Sequence, residues 1–184
     1  MDALFLVVLV PAVADWVAVS RGKPEIERIA KPATMIALAA VAVVAWEGGY
    51  DLRFIATMVA LAASLAGDVF LMQERDLLLQ GLASFFVAHV AYIVAFGGPP
   101  LTPYSVFIAT SLMLVSGPLF LVVRQGLKRR GRDSLIAPVF AYCVVISVMV
   151  LTAMTAPGAG DWERGAVFAA AAGAMLFYAS DSMI

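Results

Sequence analysis

Between Leu77 and Val123 the chain carries no Asp, Glu, Lys or Arg over 47 residues. A hydrocarbon layer about 30 Å thick is crossed by roughly 20 helical residues rising 1.5 Å each, so this run is too long for one helix. Gly97-Gly98-Pro99-Pro100 divides it into two pieces of spanning length, because neither glycine pairs nor prolines continue a helix. The rest of the chain repeats the pattern. Of 184 residues, 63% are hydrophobic and 14% charged, and mean hydropathy is +0.97. One small water-soluble core cannot hide that excess. Disorder, collagen, a disulfide scaffold and an ordinary cytosolic enzyme are all excluded.

The fold class that follows is all-α, a polytopic transmembrane helix bundle. Seven spans are predicted, at about 3–19, 32–46, 53–73, 77–96, 103–123, 135–155 and 164–184, within a single integral membrane domain over residues 1–184. Connections are brief, so neighbouring spans run antiparallel, and no soluble domain or linker is visible. Arg21, Lys23, Arg28 and Lys31 follow the first span, Arg75 the third, and Arg124, Lys128, Arg129, Arg130 and Arg132 the fifth. Only Arg53 and Arg164 lie on the other side. The positive-inside rule makes the first side cytoplasmic, with the amino terminus outside. In a bacterium the expected location is the inner (plasma) membrane. Pro11-Ala-Val-Ala14 before Asp15 has the look of a signal-peptidase site, but the segment opens Met1-Asp2 without a basic start. It is read as a retained first span.

A charge at mid-bilayer costs about 2.5–3.5 kcal/mol even on the lenient insertion scale, so polar groups inside spans carry the functional information. They are few: Asp15, Asp68, His89 and Asp181, with Lys31 at the start of the second span. The hydroxyls near them are Ser64, Tyr92, Tyr142, Tyr178 and Ser180. Asp68 lies six residues before Glu74, roughly 9 Å inside the cytoplasmic end of its span. Asp15, Lys31 and Asp181 fall in the same leaflet from three other spans. His89, about 18 Å along the fourth span, is deeper and would floor a shared cavity. Ser64 and Asp68 share one helical stripe at i,i+4; Phe85, His89, Tyr92 and Phe96 share another. The same residues admit structural roles. Asp15 could snorkel or pair with Arg21, Lys31-Pro32 could be a helix start facing headgroups, and His89 could bond to a neighbouring helix. Asp68, deep in an apolar span, is the hardest to read that way.

One histidine and one cysteine (Cys143, among apolar neighbours) cannot supply a zinc site or an internal disulfide. No phosphate loop or dinucleotide fingerprint is present. A Ser64–His89–Asp68 triad is disfavoured because Ser64 and Asp68 share a stripe. Haem would rest on His89 alone. No metal or cofactor is implied, and the basic residues sit in loops between apolar blocks, which leaves no nucleic-acid surface.

Lys31-Pro32, Ser64-Leu-Ala-Gly-Asp68, Gly81-(x)3-Phe85-(x)3-His89-(x)2-Tyr92 and Ser180-Asp181 at the end of a Gly/Ala-rich span, in that order, resemble the YhhN family. That family includes the lysoplasmalogenases, membrane hydrolases that cleave the vinyl ether bond of lysoplasmalogens. The resemblance covers the chain from about residue 30 onward. It implies eight spans, whereas this sequence stops after the seventh: either it is a piece of a longer chain or the usual last helix is absent. It also implies a lysophospholipid substrate in the bilayer and two catalytic carboxyl groups, Asp68 and Asp181. Asp68, buried among apolar residues, is the expected proton donor and Asp181 the expected anion and water base, although these roles are exchangeable. Lys31, with Arg28 beside it, would bind the substrate phosphate. Ser64, His89, Tyr92, Tyr142 and Ser180 would line the substrate cavity. No protein partner is inferable. The alternative is a non-catalytic lipid- or proton-coupled transporter or scaffold, against which stands the absence of a visible repeat between the first and last three spans.

Overall fold

The computed structural model describes residues 2–73, 77–156 and 164–181. Among the described residues the chain is all-helical: α1 (Asp2–Ser20), α2 (Pro24–Ala45), α3 (Leu52–Leu71), α4 (Leu78–Ala95), α5 (Pro103–Arg129), α6 (Ile136–Thr155) and α7 (Arg164–Asp181), with a 3-10 turn at Asp133–Leu135. Five of these are long and apolar enough to cross a membrane: α2, α3, α4, α5, and α6 taken with its preceding turn. Shorter apolar stretches, Leu6–Ser20 and Phe168–Ser180, lie in α1 and α7. Large apolar side chains cover the outward surfaces, among them Trp16, Ile29, Phe107, Met113 and Leu114. The protein is therefore a polytopic helical membrane protein, whose solvent is lipid and whose backbone polar groups are satisfied within helices.

Two helices are longer than their apolar runs. α2 begins at Pro24, eight residues before the start read from hydropathy, so Lys31 and Pro32 lie inside the helix rather than opening it. Pro24 in the first turn lacks an N–H that would be unsatisfied there anyway, and Glu25 and Glu27 complement the positive end of the helix dipole. At the other end of the chain's basic loop, α5 continues to Arg129, with Lys128 and Arg129 in its last turn, where cations face the negative end. Hydropathy marks where lipid stops; capping chemistry marks where the helix stops.

The other ends follow local rules. The Asp51 side chain accepts from the Phe54 N–H at 2.9 Å to cap α3. Thr102 and Ser105 cap α5 reciprocally. Gly97 and Gly98, at φ of 86° and 75°, end α4 in a conformation that L side chains rarely adopt.

The described residues form two compact units, Met1–Ala88 and His89–Ile184, with the division falling inside α4. In the first unit Ala18, Ala30, Ala56, Ala60, Leu61, Phe54 and Phe85 are buried, mostly small residues that let helices approach closely. Gly67 of α3 packs so tightly on the Phe85 ring that a Cβ there would lie 2.7 Å from it, and a Cβ on Gly81 would lie 2.6 Å from Leu71. In the second unit Ile146, Met149, Val150, Ala153, Ala174 and Tyr178 form the core, with Tyr92, Phe96, Tyr142 and Phe177 packed against it.

Candidate functional site

In the first unit, Lys31 of α2 and Asp68 of α3 form an ion pair, Nζ to Oδ1, at 3.3 Å. The extension of α2 makes this possible, because Lys31 stands on a formed helix beside α3 and not at a frayed start. The Asp68 side chain is 12% exposed and that of Lys31 37%. The pair thus runs from an enclosed carboxylate to an ammonium at the rim. Gly67, next to Asp68, sets the close approach of Phe85 beside it. One turn earlier on the same stripe, Ser64 is 1% exposed, and its hydroxyl is enclosed with no hydrogen-bond partner among the described residues. An orphan buried hydroxyl next to a buried carboxylate is costly and marks a place where a polar ligand would be welcome.

Asp15 of α1 belongs to the same unit. One of its carboxylate oxygens is buried without a hydrogen bond, and the group lies within Coulombic reach of Lys31 and Glu27. Of the ionisable groups read as sharing one leaflet, Lys31 and Asp68 are in direct contact, and Asp15 lies within the electrostatic reach of Lys31. The link through Glu27 was not legible, because Glu27 reads as loop until α2 is known to begin at Pro24.

In the second unit, His89 is fully buried. Its Nε2 is hydrogen-bonded to the Tyr142 hydroxyl of α6 at 3.0 Å, and its ring meets Phe177 of α7 edge-on with centroids 5.2 Å apart. Tyr92 stacks on Phe96, the residue just past the end of α4. Ser180 is exposed on α7, and the Asp181 side chain lies outside the described residues. A second polar chain joins Tyr178 to two serines that the sequence reading missed. Tyr178 donates to Ser116 at 2.8 Å, and Ser116 lies 3.1 Å from the Ser147 hydroxyl. The two serines also bond back to the carbonyls of Leu112 and Cys143, the local habit that lets serine pass unnoticed in an apolar helix.

The fold and this chemistry define a polytopic membrane protein with a lysine–aspartate pair between two helices, its carboxylate enclosed and its ammonium at the rim. The chain belongs to the YhhN family, whose model matches residues 26–184, a range that includes Lys31, Ser64 and Asp68 but not Asp15. It is similar to "Lysoplasmalogenase TMEM86B" of Homo sapiens, 30% identical over 125 residues, which is 68% of this chain and 47% of that protein. The proteins of the same name from Mus musculus and Rattus norvegicus are 29% and 28% identical over the same length. The chain spans about half the length of these curated relatives. No solved structure matches it.

Proposed function

We propose that this protein is a membrane hydrolase that cleaves the vinyl ether bond of a lysoplasmalogen, releasing a fatty aldehyde and a glycerophospho-alcohol. The observation that carries the reading is the enclosed Asp68 carboxylate paired with Lys31, set beside the orphan Ser64 hydroxyl in the segment matched by the family. The names of the mammalian relatives support the substrate class.

Vinyl ether hydrolysis begins with protonation of the β-carbon, which creates an oxocarbenium ion at the ether-bearing carbon. Water adds there and loses a proton, and the resulting hemiacetal collapses to aldehyde and alcohol. An anion beside the cation lowers the barrier, and a base must take the water's proton. Asp68, held beside the Lys31 ammonium, is suited to the anion and base roles, which gives the protonation of the β-carbon to the second carboxyl group and reverses the first of the two assignments open from sequence. Ser64 would orient the water or the ether oxygen. Lys31, reaching the rim, would meet the lipid phosphate. The sequence pattern alone assigns the second carboxyl to Asp181, and Asp181→Asn tests that assignment separately. His89, Tyr92, Tyr142 and Ser180 are proposed as substrate contacts on the same footing. The cation asymmetry of the loops supports an amino terminus outside and a site open to the cytoplasmic leaflet.

The test is release of long-chain aldehyde from lysoplasmenyl-ethanolamine by the purified protein. Asp68→Asn is expected to abolish release, at least 100-fold, while the protein stays folded. Absence of release by the unaltered protein in lipid overturns the hydrolase reading. Undiminished release by Asp68→Asn overturns the role given to Asp68.

A further inference from the structure

Between α5 and α6 runs an apolar cleft of about 280 Å³, with Met113, Ser116 and Phe120 on one wall and Phe140, Val144 and Ser147 on the other. Its polar atoms are already engaged: Ser116 and Ser147 bond to carbonyls of their own helices and lie in contact with each other, and Tyr178 donates to Ser116. What remains is a hydrocarbon-lined slot. Its lining residues run from Ala109 to Phe120 along α5, eleven helical steps or about 16 Å. That is close to the depth of one leaflet, about half of the 30 Å hydrocarbon layer. The Phe120 and Phe140 rings meet edge-on at one end, 5.2 Å between centroids.

Just beyond that end the charge changes abruptly. Arg124 stands one turn past Phe120, and Lys128, Arg129, Arg130 and Arg132 complete the connection to α6, all exposed. Five cations face a single acidic residue, Asp133, between Phe120 and Phe140. A slot of leaflet depth with a cationic cap matches one class of molecule: an amphiphile with a hydrocarbon tail and an anionic head. We infer that the α5–α6 cleft is a binding site for an anionic glycerophospholipid of the surrounding bilayer, one chain in the cleft and the phosphate headgroup on the Arg124–Arg132 cluster. The inference does not rest on the reading of the Lys31–Asp68 pair. Basic clusters next to spans attract anionic lipid in proportion to the number of cations near the surface; the cleft adds shape to that attraction and fixes where the lipid sits.

The experiment is native mass spectrometry of the full chain in neutral detergent, titrated separately with phosphatidylglycerol, phosphatidylcholine of the same chains, and inorganic phosphate. Two variants separate head from tail. Arg129→Gln/Arg130→Gln/Arg132→Gln alters only exposed side chains. Gly117→Leu fills the cleft, since a Cβ at Gly117 meets nothing within 4 Å. The unaltered protein is expected to retain phosphatidylglycerol at least tenfold more tightly than phosphatidylcholine. The triple variant should lose roughly two decades of affinity for phosphatidylglycerol alone, and Gly117→Leu should lose both lipids. Equal affinity for the two lipids overturns the inference, as does Gly117→Leu binding normally. Competition by millimolar inorganic phosphate would show a free-anion site, and a cleft occupied by a second copy, seen as a dimer that Gly117→Leu dissociates, would equally overturn it.

Discussion

The Lys31–Asp68 pair predicts an asymmetry that a bystander ion pair would not show. At 3.3 Å the gross attraction at an effective dielectric near 20 is about 5 kcal/mol. Desolvation consumes most of it, and the Lys31 side chain, 37% exposed, is screened further. A net coupling of about 1–2 kcal/mol remains. The two single substitutions should nevertheless differ. Lys31→Met leaves an enclosed carboxylate without this ammonium and should cost about 2–3 kcal/mol. Asp68→Asn leaves a lysine already at the rim, free to turn toward the headgroups, and should cost about 1 kcal/mol. The double variant should recover the coupling and fall about 1–2 kcal/mol short of the sum. The assay is thermal unfolding of the four proteins in one detergent, where each kcal/mol moves the midpoint by about 2–4 °C in a chain of this size. Activity supplies a second axis: Lys31→Met should raise KM through the phosphate, whereas Asp68→Asn should remove kcat. Additive losses within about 0.5 kcal/mol, or a larger loss from Asp68→Asn than from Lys31→Met, would refute the reasoning.

Gly67→Ala should cost about 2–3 kcal/mol, because the new methyl meets the base of the Phe85 ring at 2.7–3.0 Å, and Phe85→Leu in the same chain should restore part of the loss in thermal unfolding. Gly81→Ala should cost less, about 1 kcal/mol, since the obstructing atoms belong to the Leu71 side chain, which can change rotamer. Tyr142→Phe removes the hydroxyl bonded to the buried His89 and should lower stability by about 1–2 kcal/mol; an unchanged midpoint would show that the bond contributes nothing. Thr102→Ala dismantles the reciprocal cap of α5 and should cost about 1 kcal/mol, detected as faster amide exchange confined to the first turn of that helix.

Much of the helical layout is legible because lipid leaves so few options. Charge-free runs and the Gly97-Gly98-Pro99-Pro100 break place the apolar helices, and no tertiary information is needed. What hydropathy misses is the helix that continues into water: the charged first turns of α2 and the basic last turns of α5 look like loops by composition and are helical through the dipole and Pro24. The site is legible to the same degree. A buried aspartate and a lysine of the same leaflet stand out from the sequence. Their 3.3 Å meeting does not, because which face α2 turns to α3 depends on where that helix begins. His89 and Tyr142 are 53 residues apart, and no periodicity links an imidazole on one helix to a phenol two helices later. The Ser116–Ser147–Tyr178 chain is harder still, since each serine hides its polarity against its own backbone.

Energetics argue that the first unit carries more than packing. A Lys–Asp pair between two helices in an apolar environment is a poor way to join them; apolar residues of similar volume are often as stabilising or more so. Here the pair comes with a buried Ser64 hydroxyl and a buried Asp15 oxygen, both unbonded among the described residues. Each leaves unsatisfied a group whose burial costs about 1–3 kcal/mol. Small-residue packing at Gly67, Ala60 and Ala56 already supplies close helix contact without polar help. A polar ligand or water meeting these atoms during a reaction would recover the outlay, as a site shaped for a transition state requires. Asp15→Asn discriminates between the two readings. If Asp15 tunes the field at Lys31 for function, the substitution shifts the pH profile of aldehyde release with little change in stability; if the cluster is only structural, stability changes and the profile stays where it was.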